Sequence, residues 1–115
     1  MNDIKSRISN RALNEGFDAI GFAAAAADPK DREGLAAFIK KGWHGEMDWI
    51  ARDDGRRGDL KAIMPNAKTA IVLAINYGPA KDPLASLSQK QNGTISVYAQ
   101  GAKDYHNVLQ ERIKQ

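Results

Sequence analysis

The chain has 115 residues, enough for one domain with a modest core and too few for two ordinary ones. Its formal net charge of +3 comes from 17 basic residues interleaved with 14 acidic ones, which permits a nucleic-acid partner without laying out a basic stripe. The absence of cysteine excludes disulfides, thiolate nucleophiles, zinc ribbons and iron–sulfur ligation by this chain alone, and with two histidines no self-contained metal site is expected.

From Ile4 to Glu15 the apolar positions Ile4, Ile8, Ala12 and Leu13 follow a helical stripe, with Asn2 or Asp3 as the cap and Gly16 as the stop. Phe17 to Ala23 alternates, with Ile20 and Phe22 on one side, and predicts a short strand. The alanine run Ala23 to Ala27 has helical propensity, but its neighbours suggest a strand end passing into a loop. Asp28-Pro29 is a helix start, a capping aspartate before an N1 proline; Leu35, Phe38 and Ile39 give the buried face before Gly42 ends the helix.

That helix delivers the chain into Trp43-His44-Gly45-Glu46-Met47-Asp48-Trp49, which holds both tryptophans and one histidine, with Arg56-Arg57 shortly after. A short helix is expected from Glu46 to Arg52, because Met47, Ile50 and Ala51 share a face and the carboxylates of Glu46 and Asp48 suit a first turn. Gly55 and Gly58 bracket the arginine pair, presenting two guanidiniums on a loop suited to an anionic or amide-rich ligand. The alternative is a solvated turn whose arginines pair with Asp53, Asp54 and Asp59.

Asp59 caps a further short turn carrying Leu60, Ile63 and Met64, closed by Pro65. Thr69 to Asn76 is continuously apolar and partly β-branched, as expected of a central strand covered on both faces. Tyr77 to Asn92, with Gly78, Pro79 and Pro83, reads as a long connection with at most one helical turn. Thr94 to Ala99 alternates and predicts another strand; Asp104 then caps a last helix with Tyr105, Val108, Leu109 and Ile113 on one face. The pattern is still running at Gln115, which suggests a piece of something longer. This order of elements predicts an α/β layered fold, a central sheet flanked by helices and incomplete at the C-terminus, in a single unit over residues 1–115.

Among single residues, His44 reads as a ligand, a proton donor or a helix-start anchor, and His106 as a ligand contact or as a helix-entry histidine paired with Asp104. Trp43 and Trp49 read as core residues or as walls for a flat macrocycle, and Tyr98 points away from Ile95 and Val97 on the expected strand. The glycines do not form a dinucleotide-binding set between strand and helix. Glu46 and Asp48, two apart, turn away from each other on a helix and make a poor glycosidase pair. No secretory leader pattern and no apolar run near the roughly 18 residues of a membrane span are present, so a cytoplasmic protein is expected.

Several segments together resemble the N-terminal region of epoxyqueuosine reductase, a corrinoid-dependent iron–sulfur enzyme family of queuosine synthesis in tRNA. They are Gly16-Phe17-Asp18-Ala19-Ile20-Gly21-Phe22-Ala23, His44-Gly45-Glu46-Met47-Asp48-Trp49, Arg56-Arg57, Pro65-Asn66-Ala67-Lys68-Thr69, Asn76-Tyr77, Ile95-Ser96-Val97-Tyr98-Ala99 and Asp104-Tyr105-His106. The resemblance implies two-electron reduction of the epoxide of epoxyqueuosine at a tRNA wobble position, with electrons reaching a cobalamin through two [4Fe-4S] clusters and a protein acid protonating the opening ring. It places the cluster cysteines and the proton-donating aspartate outside these 115 residues. It assigns Arg57 and Val97 to cobalamin binding and no catalytic or metal-ligating residue to this chain. One departure from the family pattern is Ala102 between Gly101 and Lys103; read as an insertion, it leaves the register of Val97 against the last helix open by one residue. A monomeric parent acting on tRNA is expected, and the chain alone should be inactive. The competing reading is a non-catalytic RNA-binding module of the same fold, using the basic loop and the segment from Tyr77 to Asn92.

Overall fold

The computed structural model of the chain describes residues 2–52 and 55–115. Four α-helices and two strands follow in the order α1 (Asn2–Asn14), β1 (Ala19–Ala24), α2 (Pro29–Lys40), α3 (Asp48–Ala51), β2 (Thr69–Ala74) and α4 (Tyr105–Ile113), with three short 3-10 turns at Leu60–Ala62, Ala85–Ser88 and Val97–Ala99. The fold is mixed α/β. Its described sheet has two strands, β1 beside β2. They run antiparallel, since the N–H of Asp18, just before β1, donates to the Ala74 carbonyl at the end of β2 at 2.9 Å, while Ala25, just after β1, donates to Lys68, just before β2, at 3.0 Å.

The chain divides into two units, one comprising 1–20 and 73–115, the other 21–72. In the first, α1 ends where Gly16 takes φ of 92°, a left-handed conformation open to glycine at little cost. Phe17 then turns inward and is 4% exposed, next to the small buried Ala12 of α1. Arg112 of α4 donates to the Gly16 carbonyl at 2.7 Å, and Arg11 of α1 donates to the Gln115 carbonyl at 2.9 Å, so the first and last helices are joined through guanidiniums. In the second unit Asp28 caps α2, its carboxylate accepting from the Lys30 N–H at 2.9 Å with Pro29 at the first helical position, as the sequence predicts. Gly42, with φ of 69°, ends that helix. Asp59 caps the turn at Leu60–Ala62 in the same manner, accepting from Lys61.

Three expectations are corrected. The helix expected over Glu46 to Arg52 is reduced to Asp48–Ala51, because Gly45 at φ of 58° closes a tight turn and the Met47 N–H is taken by the His44 carbonyl. The apolar run at Thr69–Ala74 forms a strand, but not one covered on both faces: Ile71 and Val72 are exposed, and β1 is its only strand partner among the described residues. Thr94 to Ala99 forms no strand. The Ser96 and Val97 carbonyls accept from Ala99 and Gln100, and the Gln100 side-chain amide donates to the Ile95 carbonyl at 2.8 Å, so local turns satisfy the groups a ladder would have used. The long connection after Tyr77 carries one short turn, Ala85–Ser88, as expected. The expected caps at Asn2 and the pairing of the arginine loop with Asp53 and Asp54 lie outside the described residues and side chains.

Candidate functional site

Each unit carries a cavity. In the unit of residues 21–72 it measures about 320 Å³ and is lined by Arg32, Arg52 and Arg57 together with Leu35, Ile39 and Ile50. Gly55 takes φ of 77°, a backbone conformation strained for any other residue, and this bend begins the turn that carries Arg57. The Arg57 guanidinium lies 5.1 Å from the centre of the Trp49 ring and donates one weak bond, 3.4 Å long, to the Arg52 carbonyl. One face rests on an aromatic ring, and among the described residues that weak bond is the hydrogen bond its guanidinium makes. Arg32 pairs with Asp59, one of the three aspartates expected to pair with the arginine loop, at 3.9 Å.

In the unit of residues 1–20 and 73–115 an open cavity of about 640 Å³ is walled by apolar side chains of β2 and the residue just beyond it, the 3-10 turn at Val97–Ala99 and α4, including Leu73, Ile75, Val97, Val108 and Leu109. Tyr98 lines the same cavity as Val97. On a strand these neighbours would face opposite ways; the 3-10 turn puts them together. A second opening of about 470 Å³ adjoins Tyr98, Lys103, Tyr105 and His106. Asp104 caps α4 by accepting from the His106 N–H at 2.9 Å, and the same oxygen meets His106 Nδ1 at 2.9 Å. These contacts, the backbone N–H first and the imidazole second, hold the Asp104 carboxyl below its ordinary range. Tyr105 stacks on the His106 ring at 4.1 Å and 27°, and Tyr98 meets Tyr105 edge to face at 5.9 Å.

Arg57 and Val97 thus belong to different units and line different cavities. The other aromatic and histidine candidates also find their places. Trp43 and Trp49 are more than half exposed, Trp43 packing edge to face on Phe38 at 6.1 Å with Lys41 Nζ 4.3 Å from its ring centre. His44 anchors the entry to α3 through its carbonyl, while its Nδ1 is buried without a hydrogen-bond partner among the described residues. No group of three or more histidines, aspartates and glutamates suited to a metal occurs among the described residues.

The family model described as "Epoxyqueuosine reductase QueG, DUF1730" matches residues 57–115, just over half of the chain and the part that begins with Arg57. The chain belongs to the epoxyqueuosine reductase family. Proteins named epoxyqueuosine reductase from Escherichia coli (strain K12) and Leadbetterella byssophila are 34% and 32% identical to it, each over 99% of its length. That of Vibrio cholerae serotype O1 is 34% identical over 96%. The chain spans about a third of these relatives, 30% of the Escherichia coli and Vibrio proteins and 36% of the Leadbetterella one. No solved structure matches the chain. Among the described residues, no helix is long and apolar enough to cross a membrane.

For an epoxyqueuosine reductase relative, two features of these cavities escaped sequence reasoning. Arg32 and Arg52 share the Arg57 cavity. A signal for Arg32 was present, since Arg32, Leu35, Ala36 and Ile39 fall at helical spacing on one face of α2 and all line the cavity. Tyr77 and Pro79 of the long connection, which the sequence did not assign to an apolar cavity, line the larger one.

Proposed function

We propose that residues 1–115 form the N-terminal, cobalamin-facing domain of an epoxyqueuosine reductase, an oxidoreductase that reduces epoxyqueuosine to queuosine at the wobble position of tRNA. The observation that carries this reading is the alignment of relatives of that name over 99% of the chain. In the longer protein the two-stranded sheet is one part of a layered α/β fold, and the protein works as a cytoplasmic monomer.

The chain's own residues suit the cofactor to different degrees. Cobalamin presents a broad apolar face and a rim of amide and phosphate groups. The large apolar cavity beside Val97 offers the former a surface, and the Arg57 guanidinium offers the latter a planar fork of donors. When bound, cobalamin supplies the redox chemistry; Val97 and Arg57 bind and orient it. The two [4Fe-4S] clusters find no ligands here, because the chain has no cysteine, and this reading assigns them and the proton-donating acid to the rest of the longer protein.

The test is turnover. The full-length protein carrying this sequence, purified with cobalamin and reconstituted clusters, is given a reductant and an epoxyqueuosine-containing tRNA stem-loop, and the nucleosides are resolved by mass spectrometry. Appearance of queuosine is the expected outcome. RNA binding without turnover by the fully loaded protein would instead favour the non-catalytic module.

A further inference from the structure

We propose that His106, backed by Tyr105, is a stacking platform for an unpaired base of the RNA substrate, with Tyr98 as the side wall of the subsite. This deepens the proposed function and rests on its assignment of an RNA substrate. The argument begins with two side chains that are fixed yet uncovered. Asp104 holds the His106 ring through Nδ1 at 2.9 Å while capping the helix beneath it, so the imidazole has a set orientation. Tyr105 covers one face at 4.1 Å. With Tyr105 on one face and Nδ1 engaged, the imidazole side chain nevertheless remains 65% exposed.

A flat ring with one face backed and the other open continues a stack when a third ring arrives. Tyr98, 56% exposed and perpendicular to Tyr105, closes one side of the opening, whose volume is about 470 Å³. Lys103 on its rim supplies a cation for the phosphate that accompanies a base. Aromatic rings with an adjoining cation are the elements by which proteins hold single-stranded nucleic acid, each stacked base contributing about 1–3 kcal/mol. An isolated helix cap needs Asp104 but needs neither tyrosine nor the exposed ring plane.

The discriminating experiment uses the full-length protein and an anticodon stem-loop RNA carrying 2-aminopurine at the wobble position, whose fluorescence is quenched by stacking. His106→Asn keeps a hydrogen-bonding group near the Nδ1 position and removes the ring; His106→Phe keeps a flat ring and removes the hydrogen bond. The expected result is quenching by the unsubstituted protein, an affinity loss of about 5- to 150-fold in His106→Asn and recovery to within about twofold in His106→Phe. Melting curves accompany each variant, and recovery in His106→Phe separates loss of stacking from loss of fold. Full retention in His106→Asn, with loss in His106→Phe, assigns His106 to hydrogen bonding or capping and overturns the subsite. Unchanged RNA affinity with weakened cobalamin absorbance in both variants also overturns it, by giving the ring to the corrinoid. Failure of the unsubstituted protein to bind the RNA overturns the subsite together with the RNA-acting reading, whereas RNA binding indifferent to both substitutions overturns the subsite alone.

Discussion

One carboxylate oxygen of Asp104 meets both the backbone N–H and the Nδ1 of His106 at 2.9 Å, so a single side chain caps α4 and orients the ring that follows. Both contacts favour the ionised carboxylate and lower its pKa in the folded chain. The stability this contributes is present above the ordinary carboxylate pKa of about 3.9 and is lost as pH falls through the lowered folded value. Asp104→Ala should therefore reduce α4 helicity at neutral pH and remove one component of the acid-unfolding limb, followed by far-UV circular dichroism against pH. An acid limb identical in the two proteins would show that the cap carries no pH-linked stability.

Arg57→Ala in the full-length protein should weaken cobalamin binding while leaving fold and cluster content intact. A charge-assisted hydrogen bond contributes roughly 1.5–3 kcal/mol, which corresponds to about a 10- to 150-fold loss of affinity. Arg57→Lys should recover only part of this, since an ammonium has neither the planar fork nor the flat face that Arg57 sets over Trp49 at 5.1 Å. Arg56→Ala is the neighbouring control. Titration by visible absorbance reads the result, and equal small losses for Arg56→Ala and Arg57→Ala would reduce the loop to a solvated basic turn.

The 115-residue chain by itself should show no reductase activity. It has no cysteine and hence no protein-held route for electrons from clusters to cofactor. Turnover of an epoxyqueuosine-containing stem-loop by the isolated chain, given reductant and free cobalamin, would sink this expectation.

The isolated chain should also be marginally stable and prone to associate. Among its described residues the buried hydrophobic side chains are Ala12, Phe17 and Ala25, while Ile71, Val72, Leu84, Leu87 and Ile95 are exposed. Dye binding and concentration-dependent sedimentation are expected. A dye-silent monomer with a sharp melt above about 65 °C, the upper end for ordinary mesophile domains, would contradict it.

Among the described residues of its unit, Phe17, at 4% exposure, and the small Ala12 are the buried hydrophobic side chains. Phe17→Ala should cost about 3–5 kcal/mol, enough to unfold a marginal domain, whereas Phe17→Leu should be milder because it retains most of the apolar volume. Denaturant midpoints measure both; a loss under about 0.5 kcal/mol, typical of surface sites, would place Phe17 outside the core.

Local chemistry determined much of this protein by itself. Asp28, Asp59 and Asp104 cap the elements they precede, because a carboxylate two residues before a free N–H finds it without help from distant chain. Gly16, Gly42 and Gly55 turn the backbone where only glycine does so cheaply. The family, too, was legible in the string from His44 to Trp49 and in Asp104-Tyr105-His106.

What required the tertiary structure were the choices that alternation leaves undecided. Thr94 to Ala99 has the period of a strand, but a strand exists only where a neighbour accepts its ladder, and here Ser96, Val97 and the Gln100 amide close the hydrogen bonds locally. That turn brings Val97 and Tyr98 to one cavity, contrary to the facing their alternation predicted. The pairing of Asp59 with Arg32 and the meeting of Arg32, Arg52 and Arg57 around one cavity depend on contacts between segments far apart in sequence. Periodicity shows which face of an element is apolar; only packing decides which other face it meets.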